Sequence, residues 1–262
     1  MKKHLPAVLT GIGLLILWQV IAMCINAAYI LPSPTQIAVK IWELREPLFT
    51  VHTPATMLVT LIGLLISVVL GVGLAVVMER FECVERALYP VIVTTQTIPV
   101  TAIAPLFVLW LGYGIWSKVL VAVLITFFPI TISVHDGLKS AKRENEELLR
   151  TMGMSGTAIF FKLKFPAALP SFFSAIKMAI PLSILGAAMG EWLGAQSGLG
   201  YFSKRMMTQL DGAGVFAPVV VLAVCAMLVV AVISAIERKL ITWRKDCLLY
   251  TSPSPRDGAT SR

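Results

Sequence analysis

Long apolar runs alternate along this chain with short stretches that hold nearly all of its charge. The runs fall at residues 5–25, 55–78, 88–111, 117–134, 170–193 and 215–236. A helix rises about 1.5 Å per residue, so runs of this length match the roughly 30 Å hydrocarbon core of a bilayer. In lipid every backbone polar group needs an internal partner, which a helix supplies. The pattern predicts an all-α polytopic membrane protein with six transmembrane helices. Between the first two runs, Ser33 can cap a helix with Pro34 at its first position. There Ile37, Ile41 and Leu44 recur at helical spacing, with Lys40, Glu43 and Arg45 on other faces. That pattern fits an interfacial helix on the outer side or a solvated connector. Residues 196–214 predict an outer loop with a short helical piece from Tyr201 to Leu210.

Breaks in the apolar pattern show where the runs meet each other. Gly63, Gly71 and Gly73 in the second run, and Gly186, Gly190 and Gly194 in the fifth, permit close helix contact. The third run carries Pro90, Pro99 and Pro105. The carbonyls that these prolines free must be satisfied by protein or cavity water, which places this helix inside the bundle. On the same run Thr94, Gln96, Thr97 and Thr101 are candidate pathway residues; hydrogen bonding between helices is the alternative. Glu191, an ionisable group at a span end, is a further pathway candidate. It equally fits a hydrogen-bonded carboxylate that orients the outer loop.

The segment 137–169 is the one long polar insertion, and its second half is neither apolar nor random. Glu146, Glu147, Leu148, Leu149 and Met152 predict a short amphipathic helix. Gly153 stands where that helix would end in a left-handed cap. Ser155 can cap a second short helix carrying Ile159, Phe160 and Leu163, and Pro166 and Pro170 limit the first turn of the next run. Two short helices meeting at a glycine elbow predict a docking surface.

The spacing of these residues carries a resemblance. Glu147, Gly153 six residues later, and Leu163-x-Phe165-Pro166 resemble the EAA loop of ABC-importer permeases. Leu148 and Leu149 depart from it, standing where that family has alanines. The likeness runs from about Leu5 to Arg244. Ile30-Leu31-Pro32-Ser33-Pro34, Pro99, Pro105 and Gly198-Leu199-Gly200-Tyr201 resemble the subfamily that imports nitrate, sulfonates, taurine and thiamine-precursor pyrimidines. The resemblance implies a type I importer permease fold in a bacterial plasma membrane, with a cytoplasmic coupling loop. Glu146, Glu147, Leu148, Gly153, Leu163 and Pro166 would be its ATPase-coupling residues. It also implies two copies of an ABC ATPase subunit, an extracytoplasmic substrate-binding protein and a second permease subunit, forming a homodimer. The substrate stays open between a sulfonate-, taurine- or nitrate-like anion and a thiamine-precursor pyrimidine. A membrane scaffold or intramembrane enzyme that recruits a cytosolic partner is the alternative from another class.

Composition agrees with the membrane reading. The 262 residues are 57% hydrophobic and 14% charged, with a mean hydropathy of +0.84. The net charge of +8 lies in short loops and at run ends, so no nucleic acid is expected. Fourteen Lys and Arg fall in segments read as inner, from Lys2 to Lys245, against Lys40, Arg45, Lys118, Lys204 and Arg205 outside. That asymmetry puts both termini in the cytoplasm. The basic start Met1-Lys2-Lys3-His4 before an apolar run also describes a secretory signal, but no small-residue cleavage site closes the run. Cys24, Cys83, Cys225 and Cys247 form no Cys-x-x-Cys pair and the three histidines are scattered, so neither metal nor cofactor is expected. No phosphate-binding Gly-x-x-x-x-Gly-Lys motif occurs, which assigns ATP hydrolysis to another polypeptide. Residues 1–246 read as the permease domain. The tail 247–262 lacks apolar periodicity and reads as non-native and disordered.

Overall fold

The computed structural model describes residues 5–242, so the basic start, Arg244, Lys245 and the tail 247–262 lie outside the described residues. Among the described residues twelve α-helices follow one another. They are α1 (Leu5–Ile25), α2 (Pro34–Glu43), the single turn α3 (Arg45–Pro47), α4 (Thr53–Arg80), α5 (Glu82–Thr95) and α6 (Val100–Leu111). Then come α7 (Ile115–Lys139), α8 (Arg143–Thr151), α9 (Gly156–Ile159), α10 (Phe165–Gly194), α11 (Leu199–Thr208) and α12 (Gly212–Leu240). Wide π turns at Leu48–His52 and Phe160–Lys164 lead into α4 and α10.

The centre of the bundle is α4, α7 and α10, and small residues set how closely they approach. A Cβ on Gly186 would lie 2.8 Å from the Ala122 Cα, and one on Gly190 2.8 Å from the Lys118 Cα. Gly194 is pressed against the Tyr113 ring and Gly63 against Ala122, whereas Gly73 has open space. Without a hydrophobic drive inside lipid, such close contacts and buried hydrogen bonds hold helices together. The Ser67 and Thr126 hydroxyls meet at 2.6 Å, and the Ser183 hydroxyl donates to the Thr60 carbonyl at 3.1 Å.

Among the described residues, α1, α4, α7, α10 and α12 are long and apolar enough to cross a membrane alone. The run at 88–111, read from sequence as one helix, is instead broken: α5 and α6 meet at 98°. Of its three prolines only Pro99 breaks the chain, with an extended ψ of 112°. Pro90 and Pro105 stay inside helices. Ile98, directly before Pro99, is sterically biased away from helix. Threonine hydroxyls finish α5: Thr95 donates to the Ile92 carbonyl and Thr97 to the Thr94 carbonyl.

A second difference concerns the fifth run, expected to start near Pro170 after a separate short helix. The chain is helical without interruption over Gly156–Gly194, through the π turn. Pro166 falls at the second residue of α10, directly after the π turn at Phe160–Lys164. The helix α2 packs against α12. Ser33 and Gln36 form a reciprocal capping box, Ile37 is buried, and Lys40 pairs at 3.0 Å with Asp211, the cap of α12. The first helix, α1, stands aside, touching α12 through Trp18 and Phe216.

Candidate functional site

Between α7 and α10, α8 and α9 form the elbow. Gly153 adopts φ +82°, the conformation open to glycine without steric cost. The Gly153 N–H donates to the Arg150 carbonyl and the Met154 N–H to the Leu149 carbonyl, each at 3.0 Å. Together these bonds are a Schellman cap. Across the elbow the Ser155 hydroxyl accepts the Ala158 N–H, and Ile159 is buried. The expected coupling residues divide by direction. Glu147 and Leu148 face outward, Glu147 pairing with Arg143 of its own helix at 2.9 Å. Leu148, Met152 and Phe161 are apolar and 59%, 71% and 62% exposed, a surface suited to a protein partner. Leu163 and Pro166 are half-buried on the second arm.

Glu146 turns inward. It accepts from Arg150 at 2.7 Å and pairs with Lys164 at 3.0 Å, and Lys164 in turn reaches Glu79 at the end of α4 at 2.6 Å. Hydrogen bonds from Lys164, then from Arg150, hold the Glu146 carboxyl below the usual carboxylate range. Sequence reading had seen Lys164 only as one more inner charge. Nothing local pairs it with a glutamate 85 residues away. A similar tie joins α5 to α7, where Glu85 accepts from His135 at 3.1 Å and from Lys139.

Around the α5–α6 corner lies a cavity of about 330 Å³, walled by Gln96, Pro99, Thr101, Ile125, Phe128 and Leu185 among others. All its lining residues are uncharged. Of the candidate pathway residues, Gln96 and Thr101 line it. Thr94 and Thr97 lie exposed at the same corner, their hydroxyls donating to the Pro90 and Thr94 carbonyls of their own segment.

Glu191 is not among them. Buried near the C-terminal end of α10, it accepts from the Thr56 hydroxyl and from the Gly200 N–H, both at 2.8 Å. Thr56 also accepts the Leu199 N–H, and the His52 Nδ1 accepts the Gly198 N–H at 3.1 Å. These bonds fasten the start of α11 to α4. Gly198, at φ +119°, lets the backbone pass over the Glu191 carboxylate. His52 and Thr56 carried no sequence signal.

Residues 67–242 match the family described as binding-protein-dependent transport system inner membrane component. The formylaminopyrimidine transport permease protein of Halalkalibacterium halodurans is 53% identical over 88% of this chain and 93% of its own length. The aliphatic sulfonates transport permease protein of Bacillus subtilis, a putative assignment by its name, is 31% identical over 92% of this chain and 86% of its own length. Inward-facing structures of the MetNI methionine ABC transporter contain a chain of like fold, with a TM-score of 0.59 at 19% identity. That match covers 79% of this chain and 98% of that one.

Proposed function

This chain belongs to the binding-protein-dependent transport inner-membrane family, as a permease subunit of an ABC importer rather than an enzyme, and from that premise we propose a substrate, a pathway and a docking surface. Its family implies an ATPase and a substrate-binding protein as partners. The proposed substrate is a thiamine-precursor pyrimidine. The observation that carries this is the uncharged cavity at the α5–α6 corner, where Gln96 and Thr101 offer neutral hydrogen-bonding groups beside the Phe128 ring. A sulfonate or nitrate would enter such a site with no cation to replace its water. The 53% identical relative is a formylaminopyrimidine permease by name, which supports the same choice.

The pathway residues are Gln96 and Thr101, with Thr94 and Thr97 at the corner beside them. The assembly we propose is a homodimer with two ATPase subunits, in which a second copy of this chain would wall the partly open cavity. Glu147, Leu148 and Gly153 present the docking surface to the ATPase in the cytoplasm, with both chain termini on that side. Glu191 fixes the outer loop.

Vesicles containing the permease and its ATPase, with binding protein outside, are expected to accumulate formylaminopyrimidine when ATP is inside. Accumulation of taurine or nitrate in its place overturns the substrate. In a background without native cysteines, Gln96→Cys and Thr101→Cys are expected to react with small water-soluble thiol reagents. Impermeant reagents are expected to reach Lys204→Cys from outside and Lys142→Cys only from inside. Inertness at residues 96 and 101, with or without trapped ATP, overturns the pathway, and reversed sidedness overturns the orientation.

A further inference from the structure

We propose that Lys164 is a positioning residue for transport, carrying the movement of the docking helix α8 into membrane helix α4 by holding Glu146 and Glu79 on one ammonium group. This rests on the reading that the ATPase docks on the loop. The two pairs measure 3.0 Å and 2.6 Å, and the three side chains are 18%, 20% and 10% exposed. Such half-buried pairs are screened far less by salt than surface pairs are.

The case turns on how little else holds α8. No residue of α8 is buried. Its other ion pairs, Arg143 with Glu147 and Arg150 with Glu146, stay within the helix. Among the described residues, the Glu146–Lys164 pair is the one that leaves α8 for another element. The second arm is anchored quite differently. Ile159 is buried, and Phe160 packs against a cluster holding Ala75, Ile130 and Leu138. A pull on α8 therefore reaches the bundle along the chain, through residues 140–142 into α7 and through the Gly153 elbow into α9, and across space only at the ammonium of Lys164.

Position makes that ammonium more than a brace. Lys164 closes the π turn, and its backbone runs directly into α10. Its side chain ends on Glu79, in the last turn of α4. One residue thus links α8, α4 and α10 at the inner face. Below the loop a cavity of about 560 Å³, lined by Glu79, Arg80, Glu146, Arg150 and Lys164, separates α8 from α4. Across that gap side-chain charge is the connection, since the apolar contacts lie on the α9 side.

The test uses the assembled importer in vesicles and reads substrate moved per ATP hydrolysed, beside ATPase co-purification. Lys164→Gln and Glu79→Gln are each expected to keep the ATPase bound and to lower that ratio about two- to thirtyfold. Lys164→Arg is expected to restore most of it. The double variant is expected to be no worse than either single one, because both remove the same link. An unchanged ratio in Glu79→Gln, or effects that multiply in the double variant, overturns the proposal. So does loss of ATPase capture by Lys164→Gln, which makes Lys164 part of the docking surface itself. Failure of the docking reading is seen separately, as undiminished ATPase capture by Gly153→Val.

Discussion

Gly153→Val is expected to reach the membrane in normal amounts yet to lose both ATPase capture and substrate uptake. The reason is backbone conformation and not space. Gly153 sits at φ +82°, and a Cβ there would meet nothing within 4 Å. A β-branched residue held in that conformation costs about 1–3 kcal/mol. The chain can relieve this strain only by giving up the Schellman cap, which fixes the angle between α8 and α9. The membrane helices are untouched, so insertion is unaffected. Asparagine tolerates the left-handed region, so Gly153→Asn is expected to retain most capture. Glu147→Lys provides an independent check. It replaces an exposed pair with Arg143 by a like-charged one, worth only about 0.2–0.5 kcal/mol in the helix. Any large loss of capture then arises at the partner. Pull-down of the ATPase with tagged permease, against quantified membrane levels, decides. Normal capture and uptake by Gly153→Val and Glu147→Lys make the loop an ordinary connector.

Gly186→Leu is the second large effect, and it acts on stability. The first carbon of any side chain there would lie 2.8 Å from the Ala122 Cα, inside a close backbone contact between α7 and α10. Backbone cannot rotate away as a side chain can, so α7 and α10 must separate. Overpacking of this kind costs about 1–3 kcal/mol or more, and it also loosens the buried hydroxyl contacts nearby. Gly73→Leu is the control, since that glycine faces open space. Detergent-solubilised Gly186→Leu is expected to unfold at a clearly lower temperature than wild type, and Gly73→Leu close to it. Equal thermal stability of the two variants removes this contact from the account of the fold.

The contrast between those glycines shows what sequence reading could reach. Spacing put Gly186, Gly190 and Gly194 on one face, and all three meet α7 or the turn before it. Gly71 and Gly73 were equivalent by the same logic, yet only Gly71 faces α7, because residues two apart lie on different sides of a helix. Three prolines marked the third run as unusual. The one that breaks it lies beside threonine hydroxyls that finish α5, a local feature that hydropathy does not register. The elbow was legible because a left-handed cap strongly favours glycine. Lys164 was not, because its partner on α4 is brought near only by the packing of α4, α7 and α10. His52 and Thr56 were invisible for the same reason: their partners are backbone N–H groups of a loop more than 140 residues away.

The paired fastenings of α4 to α10 restrict how this molecule can move. At the start of α4 Thr56 holds Glu191, at its end Glu79 holds Lys164, and between them Ser183 grips the Thr60 carbonyl. Sliding one helix past the other by a single turn, about 5.4 Å, would break all three together. It would also take the Thr56 hydroxyl from the buried Glu191, and a buried polar group left without its partner costs about 1–3 kcal/mol. The two helices therefore behave as one stiff beam, pinned at both ends, that can tilt but not telescope. Bending is left to joints without such pins, and the right-angled corner at Gln96–Pro99 is the one the beam can swing against.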